Sequence, residues 1–149
     1  MSGTIFDKII SGEFKSWIVW EDKNYMAFLT PFPNTPGFTV VIPKQNVGDY
    51  LFSLDSDEYQ GLLAVSQKVA RKLEKAFNTS RVAMIVEGTG VAHVHIKLLP
   101  LIGPLADQTS VWSKEIEFNP EYTGHITSSE GPKMDDAELD RIQTMIKEA

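Results

Sequence analysis

The spacing of apolar positions over the first third of the chain predicts one short helix and three strands. Residues 4–10 place apolar side chains at helical spacing, and Gly12 then ends the pattern. Two extended runs follow at 17–21 and 25–29, and the short polar stretch between them predicts a hairpin turn. A proline-rich loop leads to a β-rich run over 38–42. The N-terminal part is therefore predicted to be a helix followed by neighbouring strands.

Two longer periodic stretches predict the remaining helices. The clearer one covers roughly 55–77, with Asp55 as its N-cap and an acid three residues later, as in a capping box. Several of its basic residues fall late in the stretch, where they complement the helix dipole. The same capping pattern begins at Asp135 and predicts a last helix over about 136–147.

The region between these helices contains two more predicted strands and a weakly patterned tail. Strands at 82–86 and about 92–99 flank a glycine turn at 88–90. Because short connections favour antiparallel neighbours, the order of elements predicts an α+β domain with a mainly antiparallel sheet and one long helix. We place this domain at residues 1–100. Residues 101–149 are predicted to be a C-terminal extension that packs on the same domain and ends in a helix.

Composition and charge exclude several classes of function. The 149-residue chain carries a formal net charge of −6 and no cysteine, which excludes disulfides, zinc–thiolate sites and a cysteine nucleophile. Lysine and arginine form no run, so we expect no binding to duplex DNA or RNA. No window approaches the ~20 apolar residues that span a membrane, and the N-terminus lacks the features of a signal peptide. We expect a cytoplasmic protein without a membrane partner.

Candidate chemistry is concentrated in the predicted strand that contains His93 and His95. Because side chains alternate along a strand, these two histidines and Lys97 are predicted to lie on one face. The residues between and after them are apolar and are predicted to face the core: Val94, Ile96 and Leu98. A neutral imidazole is a good nucleophile toward phosphorus or an acyl carbon. A nearby ammonium favours the neutral form and stabilises phosphate oxygens, and the glycine turn offers backbone N–H donors for an anion.

Three other interpretations fit the same residues. A His-x-His pair also binds metal ions, and the third ligand would then be His125 or a carboxylate such as Glu87. In the second interpretation the two histidines are structural and fully hydrogen-bonded. In the third, the glycines only close a hairpin turn. The residues alone leave these alternatives open.

The chain also resembles the histidine triad (HIT) family of nucleotide hydrolases and transferases over roughly residues 5–100. The opening helix and the segments 27–29 and 36–44 are similar to those of the family and precede the signature in the family's order. That signature, His-φ-His-φ-His-φ-φ, corresponds to 93–99, with Lys97 at the third histidine position. The resemblance implies a HIT-like fold, a homodimer, and a phosphoryl step that needs no metal and no cofactor.

The resemblance further implies a mechanism. His95 corresponds to the histidine that attacks the α-phosphate of a nucleoside phosphate conjugate and forms a nucleotidyl-histidine, and His93 to a histidine that helps orient the site. We therefore predict a hydrolase or transferase in which these two residues are catalytic. The alternative is a module that binds a nucleotide or another phosphorylated ligand with little or no catalysis, because Phe38 and Lys97 stand where the family has imidazoles.

The predicted substrate contacts follow partly from the same resemblance. Thr30 takes the position of the acidic residue that commonly binds the ribose hydroxyls, and Thr89 takes that of the usual glutamine in the glycine turn. Together with Lys97, Gly90 and Phe28 they form the predicted substrate site, in which the aromatic ring stacks on the base. Further candidates, each with an ordinary structural alternative, are Phe32 and Phe38 at the base, Lys44 at the phosphate and His125 in the tail.

Overall fold

A five-stranded antiparallel sheet organises residues 3–107 and 133–149, the part of the chain that the computed structural model describes. The spatial order of its strands is β1-β2-β3-β5-β4. Their bounds are Trp17–Glu21 for β1, Tyr25–Leu29 for β2, Thr39–Pro43 for β3, Val82–Ile85 for β4 and Ile96–Pro100 for β5. This arrangement confirms the predicted α+β class and the mainly antiparallel sheet.

The helices that accompany the sheet lie within one residue of the predicted bounds. They are α1 at Ile5–Ile10, α2 at Ser56–Phe77 and α3 at Asp136–Glu148, with short 3-10 turns at Leu51–Ser53 and Gly103–Leu105. Within the described residues, no helix is both long enough and apolar enough to cross a membrane.

Polar side chains begin the two longer helices as the sequence predicted, and in each the N-cap aspartate accepts one backbone N–H. Asp55 is the N-cap of α2 and accepts a backbone N–H at 2.9 Å. In α3, Asp135 accepts from the N–H of Ala137 at 2.8 Å. The Glu138 carboxylate instead binds Arg141 at 2.6 and 2.9 Å. The capping box predicted from Asp135 is therefore not formed.

The main core lies on the face of the sheet that packs against α2 and α3. The alternation predicted for the last strand is confirmed on this face, since three apolar residues there are at most 1% exposed: Val94, Ile96 and Leu98. Helix α3 adds three buried side chains to the same core: Leu139, Ile142 and Ile146. Two hydrogen bonds join α3 to β1, from the Trp17 indole to Asp140 at 2.9 Å and from Gln143 to the carbonyl of Ile18 at 2.8 Å.

The opposite face of the sheet carries α1 and a smaller apolar cluster. The strand register places Phe28, Val40 and Lys97 side by side on β2, β3 and β5. The buried members of the cluster are Phe6, Met26, Phe28, Phe38, Val40, Ile42 and Leu99. A lysine among these apolar neighbours marks this face as the location of the candidate site.

Residues 108–132 lie outside the described part of the chain, and with them His125. Its proposed role stays a prediction. The division into a domain over 1–100 and an extension over 101–149 also stays a prediction.

Candidate active site

The last strand begins later than predicted, at Ile96 and not near residue 92. Before that point the backbone N–H of Val94 donates to the carbonyl of Gly48 at 2.7 Å, and the side chain of Asn46 donates to the carbonyl of Ala92 at 2.9 Å. The backbone of the chain before Ile96 is therefore hydrogen-bonded to a loop. His93 and His95 precede the strand, although the alternation of the side chains continues through them.

A cavity of about 500 Å³ opens on the face of the sheet that carries α1. Six of the seven predicted site residues line it: His95, Lys97, Thr30, Thr89, Gly90 and Phe28. The other two candidate aromatic residues, Phe32 and Phe38, line it as well. The structure thus gathers side chains from β2, β3, β5 and the glycine turn around one opening.

The ring of His95 is held so that its two nitrogens have different roles. Its Nδ1 lies 2.8 Å from the backbone carbonyl of His93. Because a carbonyl only accepts hydrogen bonds, Nδ1 carries the proton and Nε2 carries the lone pair in the neutral ring. Burial lowers the pKa of His95 below the ordinary 6.5, and the positive charges of Lys97 and His93 lower it further against the opposing hydrogen bond to the His93 carbonyl. His95 is therefore neutral at pH 7 and lines the cavity as a potential nucleophile.

His93 is the predicted site residue that does not line the cavity. Its side chain is fully buried, and its Nε2 lies 2.8 Å from the carbonyl of Pro43, to which it donates. The rings of His93 and His95 both pack against Phe6, as expected for side chains on one face, but the His93 ring is buried and does not reach the cavity. The backbone carbonyl of His93 accepts the hydrogen bond from His95. The ring of His93 donates from Nε2 to Pro43 instead.

The cation at the third position of the signature is bound to an acid. Lys97 Nζ lies 2.8 Å from Glu87 Oε2, and the lysine side chain is mostly buried. Glu87 was one of the carboxylates considered as a metal ligand. Within residues 3–107 and 133–149, no group of three or more histidine, aspartate or glutamate side chains is arranged to hold a metal ion.

Thr30 and the glycine turn form two parts of the cavity wall. The Thr30 hydroxyl accepts from the backbone N–H of Phe32 at 3.2 Å, so it retains its own proton for a ligand. Gly88 and Gly90 both have left-handed backbone conformations, with φ of 72° and 89°. A side chain at either position would be strained, which explains why glycines flank Thr89.

Comparison with known proteins agrees with this architecture. Residues 11–102 match the family model of the HIT domain. This chain belongs to the HIT family. It is 33% identical over 131 residues to the Protein hit of Bacillus subtilis, an alignment that covers 84% of this chain and 90% of the relative.

Solved structures of HIT proteins share the fold. The crystal structure of a Hit-like protein involved in cell-cycle regulation from Bartonella henselae superposes with a TM-score of 0.70 at 25% identity, covering 97% of this chain and 94% of that one. A HIT family hydrolase from Legionella pneumophila superposes with a TM-score of 0.55 at 27% identity, covering 64% of this chain and 89% of that one.

In this HIT protein, one lysine proposed from the sequence lies outside the candidate site, and another lysine that was not proposed lines it. Lys44 lies outside the candidate site, in a separate cavity, with its Nζ 3.0 Å from Glu21 Oε2. Lys133, which sequence reasoning missed, lines the candidate site. The backbone N–H of Met134 donates to the carbonyl of Pro31 at 2.9 Å and holds this segment beside the cavity. No local pattern distinguishes Lys133 from other lysines, because its position depends on a contact with a distant loop.

Proposed function

We propose that this HIT protein is a hydrolase or transferase that cleaves a nucleoside phosphate conjugate at the α-phosphate, with His95 as the nucleophile. The observation that carries the proposal is the hydrogen bond from His95 Nδ1 to the His93 carbonyl. This bond selects the tautomer in which Nε2 holds a lone pair, and the lowered pKa keeps the ring neutral. A neutral, oriented imidazole in a cavity has the properties of a covalent catalyst.

The reaction proceeds in two displacements. Nε2 of His95 forms a bond to the α-phosphorus while the bond from phosphorus to the leaving group breaks, and the leaving group keeps the electron pair and takes a proton from water. In the second step a water oxygen attacks the same phosphorus, loses a proton to solvent, and the electron pair of the phosphorus–nitrogen bond returns to Nε2. In a transferase, another acceptor takes the place of this water.

The cavity suits such a substrate in size and lining. Its volume of about 500 Å³ falls within the roughly 300–1,000 Å³ typical of small-molecule sites. Phe28 and Phe32 offer aromatic faces for the base, and the Thr30 hydroxyl offers a donor for the ribose. The Lys97 ammonium supplies positive charge for the phosphate oxygens.

Intact-protein mass spectrometry after mixing with an adenosine 5′-phosphoramidate tests this proposal. We expect an adenylyl adduct or turnover in the wild-type protein, and neither in His95→Ala. Lys44→Ala is the control, because it alters a side chain in the other cavity and should leave adduct and turnover unchanged. Turnover in His95→Ala at the wild-type rate would contradict the mechanism.

A second candidate function is a nucleotide-binding module with little catalysis. The observation that favours it is the ion pair between Lys97 and Glu87, since a carboxylate at 2.8 Å reduces the positive charge available to a transition state. This candidate predicts that AMP raises the melting temperature although no phosphoramidate is cleaved. Cleavage that depends on His95 would exclude it.

We also propose the homodimer that the family resemblance implies. Sedimentation equilibrium of the full chain tests it, and a single species with the mass of one 16.7 kDa chain would contradict it.

A further inference from the structure

The buried ring of His93 has one nitrogen without a hydrogen-bond partner. Among the described residues, His93 Nδ1 is the buried side-chain nitrogen or oxygen for which the structure provides none. Buried polar atoms are nearly always paired, so such an atom needs an explanation. The mechanism above uses the carbonyl of His93 and leaves this ring nitrogen unexplained.

The carboxylate of Asp7 on α1 lies close to this nitrogen. Asp7 Oδ1 lies 3.8 Å from His93 Nδ1. The other oxygen, Oδ2, accepts from the backbone N–H of Thr4 at 2.6 Å and from its hydroxyl at 2.9 Å. The capping box of α1 thus fixes the carboxylate with one oxygen left toward His93. The hydrogen bonds from Thr4 also lower the pKa of Asp7, assisted by the charge of His93, so the carboxylate is ionised at neutral pH.

The hydrogen bond on the other side of the His93 ring determines whether a lone pair or a proton on Nδ1 faces the Asp7 carboxylate. His93 Nε2 donates to the carbonyl of Pro43, so in a neutral ring Nδ1 would direct a lone pair toward an anionic oxygen. A proton on Nδ1 replaces this repulsion by an attraction between opposite charges. The other titratable groups near the ring are His95, which is neutral, and Lys97, which is paired with Glu87. Lys44, next to Pro43, directs its ammonium to Glu21.

Helix α1 also contacts both histidines through the ring of Phe6. Phe6 packs edge-on against His93 and His95, with ring centroids 5.7 and 5.2 Å apart. The carbonyl that holds His95 Nδ1 belongs to His93. Any force that fixes the His93 side chain between Asp7 and Pro43 therefore also fixes the carbonyl that orients the nucleophile.

We propose that Asp7 is a positioning residue for this site: its carboxylate binds the His93 ring at Nδ1 and so fixes the carbonyl that orients His95. The consequence for catalysis rests on the proposed function. The contact between Asp7 and His93 does not, and it is measured separately.

The first test follows the histidine side chains by NMR in protein labelled with 15N-histidine. We expect the 15N chemical shift of His93 Nδ1 to change in Asp7→Asn, because the carboxylate oxygen that faces this nitrogen is replaced. Asp7→Asn keeps an oxygen for Thr4 and is suited to preserve α1. Asp55→Asn makes the same change at the N-cap of α2 and should leave His93 unaltered. An unchanged His93 Nδ1 chemical shift in Asp7→Asn would overturn the proposal whether or not the protein is an enzyme.

The second test measures turnover of the phosphoramidate. We expect Asp7→Asn to lower kcat by about ten- to hundredfold with little change in KM, as expected for a misplaced nucleophile. Asp7→Glu keeps a carboxylate and should restore most of kcat, whereas a merely structural role in capping would leave Asn and Glu variants alike. Equal kcat in these two variants would contradict the positioning role. If the wild-type protein shows no turnover, the proposed function fails and the NMR result alone decides the pairing of Asp7 with His93.

Discussion

Lys97 Nζ lies 2.8 Å from Glu87 Oε2, so the cation at the third position of the signature is bound to a carboxylate beside the cavity. A phosphate that enters the cavity must share this ammonium with Glu87. The strength of phosphate binding therefore depends on a residue that precedes the glycine turn as well as on the signature itself.

Replacement of Glu87 by glutamine removes the competing negative charge. We expect Glu87→Gln to bind AMP about two- to fivefold more tightly, the range that corresponds to a partly exposed ion pair. Isothermal titration calorimetry gives the dissociation constant. Glu74→Gln breaks an exposed ion pair with Arg71 on α2 and should leave AMP binding unchanged. Weaker binding in Glu87→Gln would show that Glu87 chiefly holds Lys97 in place.

The lowered pKa of His95 predicts the acid limb of the activity profile. The neutral, nucleophilic form is present above the pKa, so kcat/KM should fall as the pH decreases through a value below the ordinary 6.5. Burial is the main cause of this lowering, so the limb should stay below 6.5 at high salt. Initial rates with the phosphoramidate between pH 4.5 and 8 measure it. An acid limb at or above 6.5 would show that His95 is not held in its neutral form.

Lys133 brings a positive charge from the C-terminal segment to the cavity. We expect Lys133→Ala to raise KM by about two- to fivefold with little effect on kcat, because the lysine lines the cavity and also pairs with Asp136 at 2.7 Å. Lys147→Ala removes a lysine near the other end of α3 and is the matched control. The same KM in both variants would mean that Lys133 does not contact the substrate.

Helix α3 shares the main core and should contribute to the stability of the whole protein. Leu139 is 1% exposed within this core, so Leu139→Ala should lower the free energy of unfolding by about 2–5 kcal/mol. Urea unfolding followed by circular dichroism measures the change. Leu105→Ala removes the same side chain at a position that is 47% exposed and should cost little. A separate early transition in Leu139→Ala would indicate that α3 unfolds independently of the sheet.

Local patterns in the sequence determined most of the elements and part of the site. The predicted runs at 17–21 and 25–29 coincide with β1 and β2, because alternation and a polar turn are properties of neighbouring residues. The same alternation separated the core residues Val94, Ile96 and Leu98 from His95 and Lys97. Local patterns were therefore sufficient for the fold class, and the family resemblance added the choice of His95 as the candidate nucleophile.

Only the tertiary structure decided how that nucleophile is supported. The Pro43 carbonyl binds one side of the buried His93 ring, Asp7 faces the other side, and Lys133 lines the cavity near Pro31. Each of these contacts joins residues that are far apart in the chain. The alternation of residue types predicts the face of the sheet on which a side chain lies. The packing of helices and loops against that face determines which distant residues the side chain contacts.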